Sequence, residues 1–431
     1  PNLELLVSQV QKAGAVAYSP QQAEAVRAAA VSRLLIVTGG PGTGKTTILR
    51  GILDLFSRME LRALLAAPTG RAAKRLQEVT GQEASTIHRL LESQLDPATG
   101  QLIFTRDEDN PLKAHAVIVD ETSMVDLPLL ASLLRALPTG CRLILVGDPD
   151  QLPPVGPGCP LSDILRSGVV PAVRLTEIFR QAQESLIVMN AHRVNSGVMP
   201  DLKTVTSDFF FLRRRTEEAV ASTIGDLCRT RLPDRMGIPP EEIQVLSPTR
   251  KGPTGTASLN LLLQAQLNPP APDKKEKKWG DFSFREGDRV MQIRNNYDIL
   301  WKKTDGTQVG TGIFNGDIGV ITEIDLNAEL LTVVFDDRQA EYDFDMLREL
   351  ELAYAMTVHK SQGSEYQAVV LAAWSCAPNL RTRRVLYTAI TRARKLLVVV
   401  GREDILQTMT ENQRQSRRYS GLKLRLQEKE Q

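Results

Sequence analysis

Short apolar runs alternate with amphipathic stretches through the first part of the chain. The runs at 34–38 (LLIVT), 63–67 (ALLAA), 116–119 (AVIV) and 143–147 (LILVG) read as buried strands. Between them lie helical stretches such as 70–79, and a helix after residue 44. This rhythm predicts an α/β fold, a parallel sheet with helices on both faces. It returns at 243–247 (IQVLS), 368–373 (AVVLAA) and 396–400 (LLVVV), so two α/β domains are expected.

Two segments break the rhythm. Residues 93–110 carry a Pro-Ala-Thr-Gly turn followed by the β-prone Leu102-Ile103-Phe104-Thr105, which fits either a protruding hairpin or a plain surface loop. Residues 282–345 show alternating β patterns around the turn Asn315-Gly316-Asp317, as in a small β-barrel inserted in the second α/β domain. Just before it, residues 268–280, with their prolines and lysine run, read as an exposed linker. No solenoid repeat is visible.

At 431 residues the chain is too long for one ordinary core, and 42% hydrophobic with 24% charged residues is ordinary for a globular protein. No apolar stretch is long enough to span a bilayer and no secretory signal opens the chain. It begins at Pro1 rather than Met, which leaves room for a preceding domain. Cys141, Cys159, Cys228 and Cys376 are scattered, which argues against a zinc site or a disulfide framework and for a reducing cytoplasm. The four histidines also lack metal-ligand spacing. A net charge of +2 permits a polyanionic partner without demanding one.

The chemistry is concentrated in a few motifs. Residues 39–46 read GGPGTGKT, directly after the first strand. Glycines at 39, 42 and 44 let the backbone turn so that its N–H groups converge on phosphates, and the following helix adds the positive end of its dipole. Lys45 can reach the terminal phosphates and the Thr46 hydroxyl can hold a magnesium ion. Asp120 and Glu121 end the 116–119 strand. Alone they would be a solvated acidic turn, but after such a loop Asp120 fits the magnesium shell and Glu121 the base for an attacking water. Gln151, in Gly147-Asp148-Pro149-Asp150-Gln151, could touch both a γ-phosphate and a neighbouring domain. Arg180 and Arg392 could neutralise transition-state charge, although spacing does not select them among the many arginines.

Taken together, these motifs resemble those of superfamily 1 helicases, most closely the RecD-like branch, over nearly the whole chain and in the family's order. Tyr18-Ser19-Pro20-Gln21-Gln22 resembles the segment whose glutamine, here Gln22, reads adenine. GGPGTGKTT (39–47), TGRAAKRL (69–76), DETSMVD (120–126), GDPDQLPPV (147–155), TVHKSQG (357–363) and YTAITRA (387–393) match the family's phrases. The resemblance implies two RecA-like motor domains, at 1–184 and at 185–281 with 346–431. It further implies an SH3-like barrel at 282–345 and a strand-separating pin at 93–110. ATP would be bound between the motors by Gln22, Gly40, Pro41, Gly42, Thr43, Gly44, Lys45, Thr46, Thr47, Gly363 and Glu365, the last at the ribose. Lys45, Asp120, Glu121, Gln151, Arg180 and Arg392 would act in hydrolysis, with Mg2+ on Thr46 and Asp120.

Single-stranded DNA, or a single-strand/duplex junction, would cross the tops of the motors. Pro68, Thr69, Thr86, Thr249 and Thr357 are placed to bind phosphate, Arg71, His88, Arg250, His359 and Lys360 to add charge or ring contacts, and Pro153 and Val155 to pack on sugar or base. Aromatic content of only 5% points to a phosphate-directed grip rather than a stacking platform. The expectation is an ATP-dependent DNA helicase of 5′→3′ polarity, monomeric and cytoplasmic, serving DNA repair or recombination, with no membrane partner. The alternatives are an RNA helicase of the same superfamily and a nucleotide-gated DNA-binding subunit of a larger repair complex. A nuclease role lacks a second carboxylate cluster.

Overall fold

The computed structural model describes residues 2–205, 208–415 and 417–429. They form two compact units, one of residues 1–196 with 415–431, the other of 197–414.

The first unit is built on a six-stranded, wholly parallel sheet. From one edge to the other the strands are Ala84–Thr86, Ala63–Ala67, Ala116–Val119, Arg142–Gly147, Leu34–Gly39 and Ala172–Leu175. The central four are the predicted ones. Their side chains alternate between two cores, as a pleated strand requires. Leu35, Val37, Ile118, Ile144 and Val146 face helices Pro20–Val31 and Lys45–Arg58, while Ile36, Val117, Val119, Leu143 and Leu145 face Leu127–Ala136 and Pro160–Ser167. The two edge strands carry no apolar run that marks them in the sequence: both are short and only partly buried.

The 93–110 segment is a hairpin. Ser93–Leu95 pairs antiparallel with Leu102–Phe104. Its turn is held by Asp96, whose carboxylate accepts from Ala98 N at 2.9 Å and Thr99 Oγ1 at 2.8 Å.

The second unit carries a five-stranded parallel sheet in the order Ala355–Thr357, Ile243–Ser247, Tyr366–Ala373, Ala393–Gly401, Phe209–Arg213. Between its second and first strands the chain makes helix Thr256–Leu267, a hairpin and a seven-stranded antiparallel sheet spanning Arg289 to Leu352. Three boundaries differ from expectation. The antiparallel sheet ends at Leu352 rather than 345, because Leu350–Leu352 pairs with Arg289–Gln292. The lysine-rich end of the expected linker is a strand, Glu276–Trp279, paired with Phe282–Arg285. The first unit extends to 196 rather than 184 and reclaims the chain's last segment, whose Leu422 and Leu426 pack against its core.

The insertion is not a separate bead. Its Phe284, Val290, Trp301, Leu331 and Tyr342 belong to one apolar cluster with Val245, Val370 and Val398 of the parallel sheet. At the seam Asp288 is fully buried. It accepts hydrogen bonds from Gln264 Nε2 (2.7 Å), Asn268 Nδ2 (2.8 Å), the Tyr354 hydroxyl (2.8 Å) and Arg285 N (2.7 Å). Burial pushes its carboxyl up, and these four donors pull it part of the way back. One carboxylate thus ties the helix, the hairpin, the antiparallel sheet and the strand that returns from it.

Removing that acceptor strands several buried donors. Asp288→Ala is expected to destabilise the second unit by about 3 kcal/mol, the cost of a few unpaired buried polar groups. All three tryptophans (Trp279, Trp301, Trp374) lie in this unit, so urea unfolding followed by tryptophan fluorescence measures the effect. An unchanged midpoint would show that Asp288 is not a keystone.

Candidate functional site

The strand Leu34–Gly39 delivers the phosphate loop and helix Lys45–Arg58 carries it away. Gly42 (φ +73°) and Gly44 (φ +87°) sit in the left-handed region, where glycine is at ease and a side chain is strained. Both also lack room: a Cβ on Gly42 would meet Ala182 at 2.7 Å, and one on Gly44 would strike Gln22 and Phe179.

What aims the loop is the fate of its carbonyls. Pro41 O lies 2.7 Å from His192 Nε2, Gly42 O accepts from Phe179 N at 2.9 Å, and Thr43 O accepts from Gln22 Nε2 at 3.3 Å. In a planar trans peptide the N–H points opposite to the C=O. Anchoring these three carbonyls on the outside therefore turns the N–H groups of Gly42, Thr43 and Gly44 to the other side. Among the described residues none of these three N–H groups has a protein acceptor. The first N–H groups of the helix, through Thr47, lack intrahelical partners by geometry. Lys45 Nζ meanwhile rests on the carbonyls of Gly39 and Gly40, and Thr43 Oγ1 donates to Gly40 O at 2.7 Å. The result is an anion-seeking concavity with a lysine at its rim.

Asp120 and Glu121 stand at the end of Ala116–Val119, two strands from the loop's own in the same sheet. Asp120 N donates to Ala66 O at 3.0 Å, and its carboxylate accepts from Glu121 N at 2.8 Å. Burial, then the neighbouring Glu121 charge, push the Asp120 carboxyl up, opposed by that hydrogen bond and by Lys45 and Arg75. Glu121 itself has φ +52°, a strained conformation for a glutamate. It is held there because Thr122 Oγ1 ties the following turn to Val119 O (3.1 Å) and Val146 O (2.9 Å). Within the described residues no cluster of three or more His, Cys, Asp or Glu could hold a metal unaided.

Other expected residues fall as follows. Gln151 is buried in the turn after Arg142–Gly147. Gln22 is buried with its amide engaged at both ends, accepting from Ser19 N at 3.0 Å in a capping box and donating to Thr43 O, so it supports the loop from beneath. Arg180 is exposed and directly follows the Phe179 N–H that anchors Gly42. In the second unit Arg392 is only 2% exposed, its guanidinium bonded to Ser364 O at 2.8 Å, Thr388 O at 3.2 Å and Thr391 Oγ1 at 3.1 Å. Glu365 faces Arg394 at 3.9 Å, and Gly363 takes φ +74°.

Each of the four threonines closes its own turn with its hydroxyl oxygen, reaching three residues on at Thr69, Thr86 and Thr357 and two residues on at Thr249. Thr69 Oγ1 accepts from Ala72 N, Thr86 Oγ1 from Arg89 N, Thr249 Oγ1 from Lys251 N and Thr357 Oγ1 from Lys360 N, at 3.1–3.3 Å. Each hydroxyl is thereby fixed as an acceptor for its own turn and keeps its proton to donate. They also occupy matching places. Ala67 is in register with Thr86, and Ser247 with Thr357, so each parallel sheet carries one such pair at corresponding strand ends. Pro68 and Arg71 flank Thr69. In the second unit Lys360 Nζ donates to Asn315 Oδ1 at 2.8 Å, its charge disfavoured by burial, while Arg250 pairs with Glu351 at 2.6 Å. Burial also lowers the basicity of His359 and of His88. His88 packs against Phe104 of the hairpin, ring centroids 5.8 Å apart. Pro153 is half-buried and Val155 is 88% exposed. His192 and the Phe179 backbone were not anticipated, since neither belongs to a phosphate-loop pattern.

Known proteins show the same organisation. A family model described as an AAA domain matches residues 22–157, the ATP-dependent RecD-like DNA helicase SH3 domain matches 259–335, and the UvrD-like helicase C-terminal domain matches 352–400. The chain is 37% identical to the ATP-dependent RecD2 DNA helicase of Deinococcus radiodurans over 93% of its own length, but spans only 51% of that relative. It is 32% identical to the RecBCD enzyme subunit RecD of Mycolicibacterium smegmatis, covering 94% of this chain and 74% of that one. The fold matches the Pif1 helicase of Candida albicans with a TM-score of 0.52 at 19% identity, over 91% of this chain and 96% of that one. It also matches a Bacteroides Pif1 bound to ssDNA with a TM-score of 0.50 at 20% identity, over 89% and 92%. In the described residues no helix is long and apolar enough to cross a membrane. Two RecA-like units, an SH3-like insertion and this run of relatives establish that the chain belongs to the RecD-like family of superfamily 1 helicases.

Proposed function

We propose that this chain forms the motor of an ATP-dependent DNA helicase that moves 5′→3′ along single-stranded DNA and opens duplex. The observation that carries this reading is the phosphate loop, with three N–H groups turned to one side by anchored carbonyls, in a sheet that also ends in Asp120 and Glu121.

In this reading the N–H groups of Gly42–Thr47 and Lys45 Nζ hold the phosphates of ATP. Thr46 and Asp120 would hold a magnesium ion, which would supply charge neutralisation at the phosphates. Glu121, pinned in its left-handed conformation, orients the attacking water and takes its proton. Gln22 meets the adenine by releasing its bond to Thr43, so base recognition and loop support would share one amide. Arg180 and Arg392 neutralise charge as the transition state forms, and Gln151 reports the γ-phosphate. The matched threonine pairs donate hydroxyl protons to phosphates of the strand, a grip that reads no sequence. The similarity to a RecD2 DNA helicase supports DNA as the track, and 5′→3′ is the direction the resemblance to the RecD-like branch implies.

Lys45→Ala is expected to abolish DNA-stimulated ATP hydrolysis, measured as phosphate release with and without single-stranded DNA. Arg392→Ala is expected to lower kcat about 10³-fold, on the order of 4 kcal/mol of transition-state stabilisation. Near-normal turnover in that variant would remove Arg392 from the site. A duplex with a 5′ single-stranded tail is expected to be unwound and one with a 3′ tail left intact. The reverse preference would refute the polarity.

A further inference from the structure

Of the three groups that hold the loop's carbonyls, Gln22 and the Phe179 N–H sit in segments with expected roles. The third is His192, on helix Leu186–Asn195. A carbonyl oxygen only accepts, so the Nε2 that lies 2.7 Å from Pro41 O carries a proton. One turn further along, Asn195 Nδ2 donates to Asp150 Oδ2 at 2.9 Å, next in the chain to Gln151. One turn before His192, Val188 packs on the loop: a Cβ on Gly42 would lie 3.1 Å from its Cγ1. Residues 188, 192 and 195 share one helix face. That face therefore touches both the phosphate loop and the Asp150–Gln151 turn, all within the first unit.

We propose that His192 is a positioning residue of the nucleotide site, and that its helix is the backing against which the phosphate loop and the Gln151 turn are held in register. The inference rests on reading the loop as an ATP site. His192 touches no phosphate. It fixes the Pro41–Gly42 peptide, and with it the direction of the Gly42 N–H. Without that anchor the peptide can rotate and present its carbonyl to the phosphates, which repels them. Asn195 transmits the same reference frame to the residue beside Gln151.

The test separates a hydrogen-bond donor from mere bulk. His192→Gln places an amide N–H where Nε2 was. His192→Met fills similar space with no donor, and His192→Asn has a donor about one methylene too short. Expected for Met and Asn is an approximately tenfold weaker affinity for a fluorescent ATP analogue and a matching rise in KM, the scale of one lost hydrogen bond. Gln should stay within about threefold of the native protein. Melting temperature without nucleotide, and affinity for single-stranded DNA without nucleotide, should be the same in all folded variants. The proposal is overturned if Gln is impaired as much as Asn or Met, or if Asn and Met both bind the analogue like the native protein. Should Met fail to fold, the Gln–Asn comparison decides alone. If the native protein itself does not bind the analogue, the ATP reading has failed, a result distinct from native binding with indifferent variants.

Discussion

An N–H can be offered to an anion only if the carbonyl of the same peptide is held somewhere else. The phosphate loop depends on this constraint, and much of the first unit is arranged around it. Three consecutive carbonyls are engaged from three directions, by a side chain of the preceding helix, by a backbone N–H after the last strand, and by a histidine of the helix beyond. The glycines at 42 and 44 permit the turn but do not choose its orientation. The anchors choose it, and so the loop is set before any ligand arrives, the condition for electrostatic preorganisation.

The same economy appears at the strand ends that would meet nucleic acid. Thr69, Thr86, Thr249 and Thr357 cap or close their own turns with the oxygen and keep the proton facing outward. An aspartate could close such turns too, but its carboxylate would repel a phosphate. A hydroxyl accepts inward and donates outward with one uncharged atom. That the pairs recur at corresponding positions of two sheets makes the units structural counterparts, though their sequences show no plain repeat.

How much of this was legible beforehand varies with the physics involved. The central strands were readable because burial on both faces demands an unbroken apolar run. Ala84–Thr86 and Ala172–Leu175 were not, because these edge strands are only partly buried and carry no such run. The Pro-Ala-Thr-Gly turn left a hairpin and a plain surface loop equally open, because the strands it joins are only three residues long. Glu276–Trp279 was hidden because its lysines imitate a linker, yet Lys277 lies over the Phe344 ring, 4.4 Å from its centroid. In the site, the groups that would touch ligand sit in recognisable motifs. Those that brace them, His192 and Asn195, lie on an ordinary amphipathic helix where nothing in their spacing marks them. The capping use of Gln22 could have been inferred from the Ser-x-x-Gln pattern, which is a capping box in its own right.

The shared core of the second unit bears on how the chain acquires its structure. Ile243–Ser247 and Ala355–Thr357 are neighbours in one sheet, yet the entire antiparallel insertion lies between them in sequence. Their pairing is a high-contact-order event, whose loop-closure entropy falls steeply once the intervening chain is compact. The insertion can fold first from its own local hairpins and then bring the two strands together through the Asp288 seam. On a ribosome, the first parallel sheet would be complete before the strand that closes the second had been made. The second unit would spend that interval with Ile243–Ser247 as an unpaired, apolar strand, since both of its neighbours in the sheet, Ala355–Thr357 and Tyr366–Ala373, are made later. A partner that shields such a strand during synthesis would matter more for this unit than for the first.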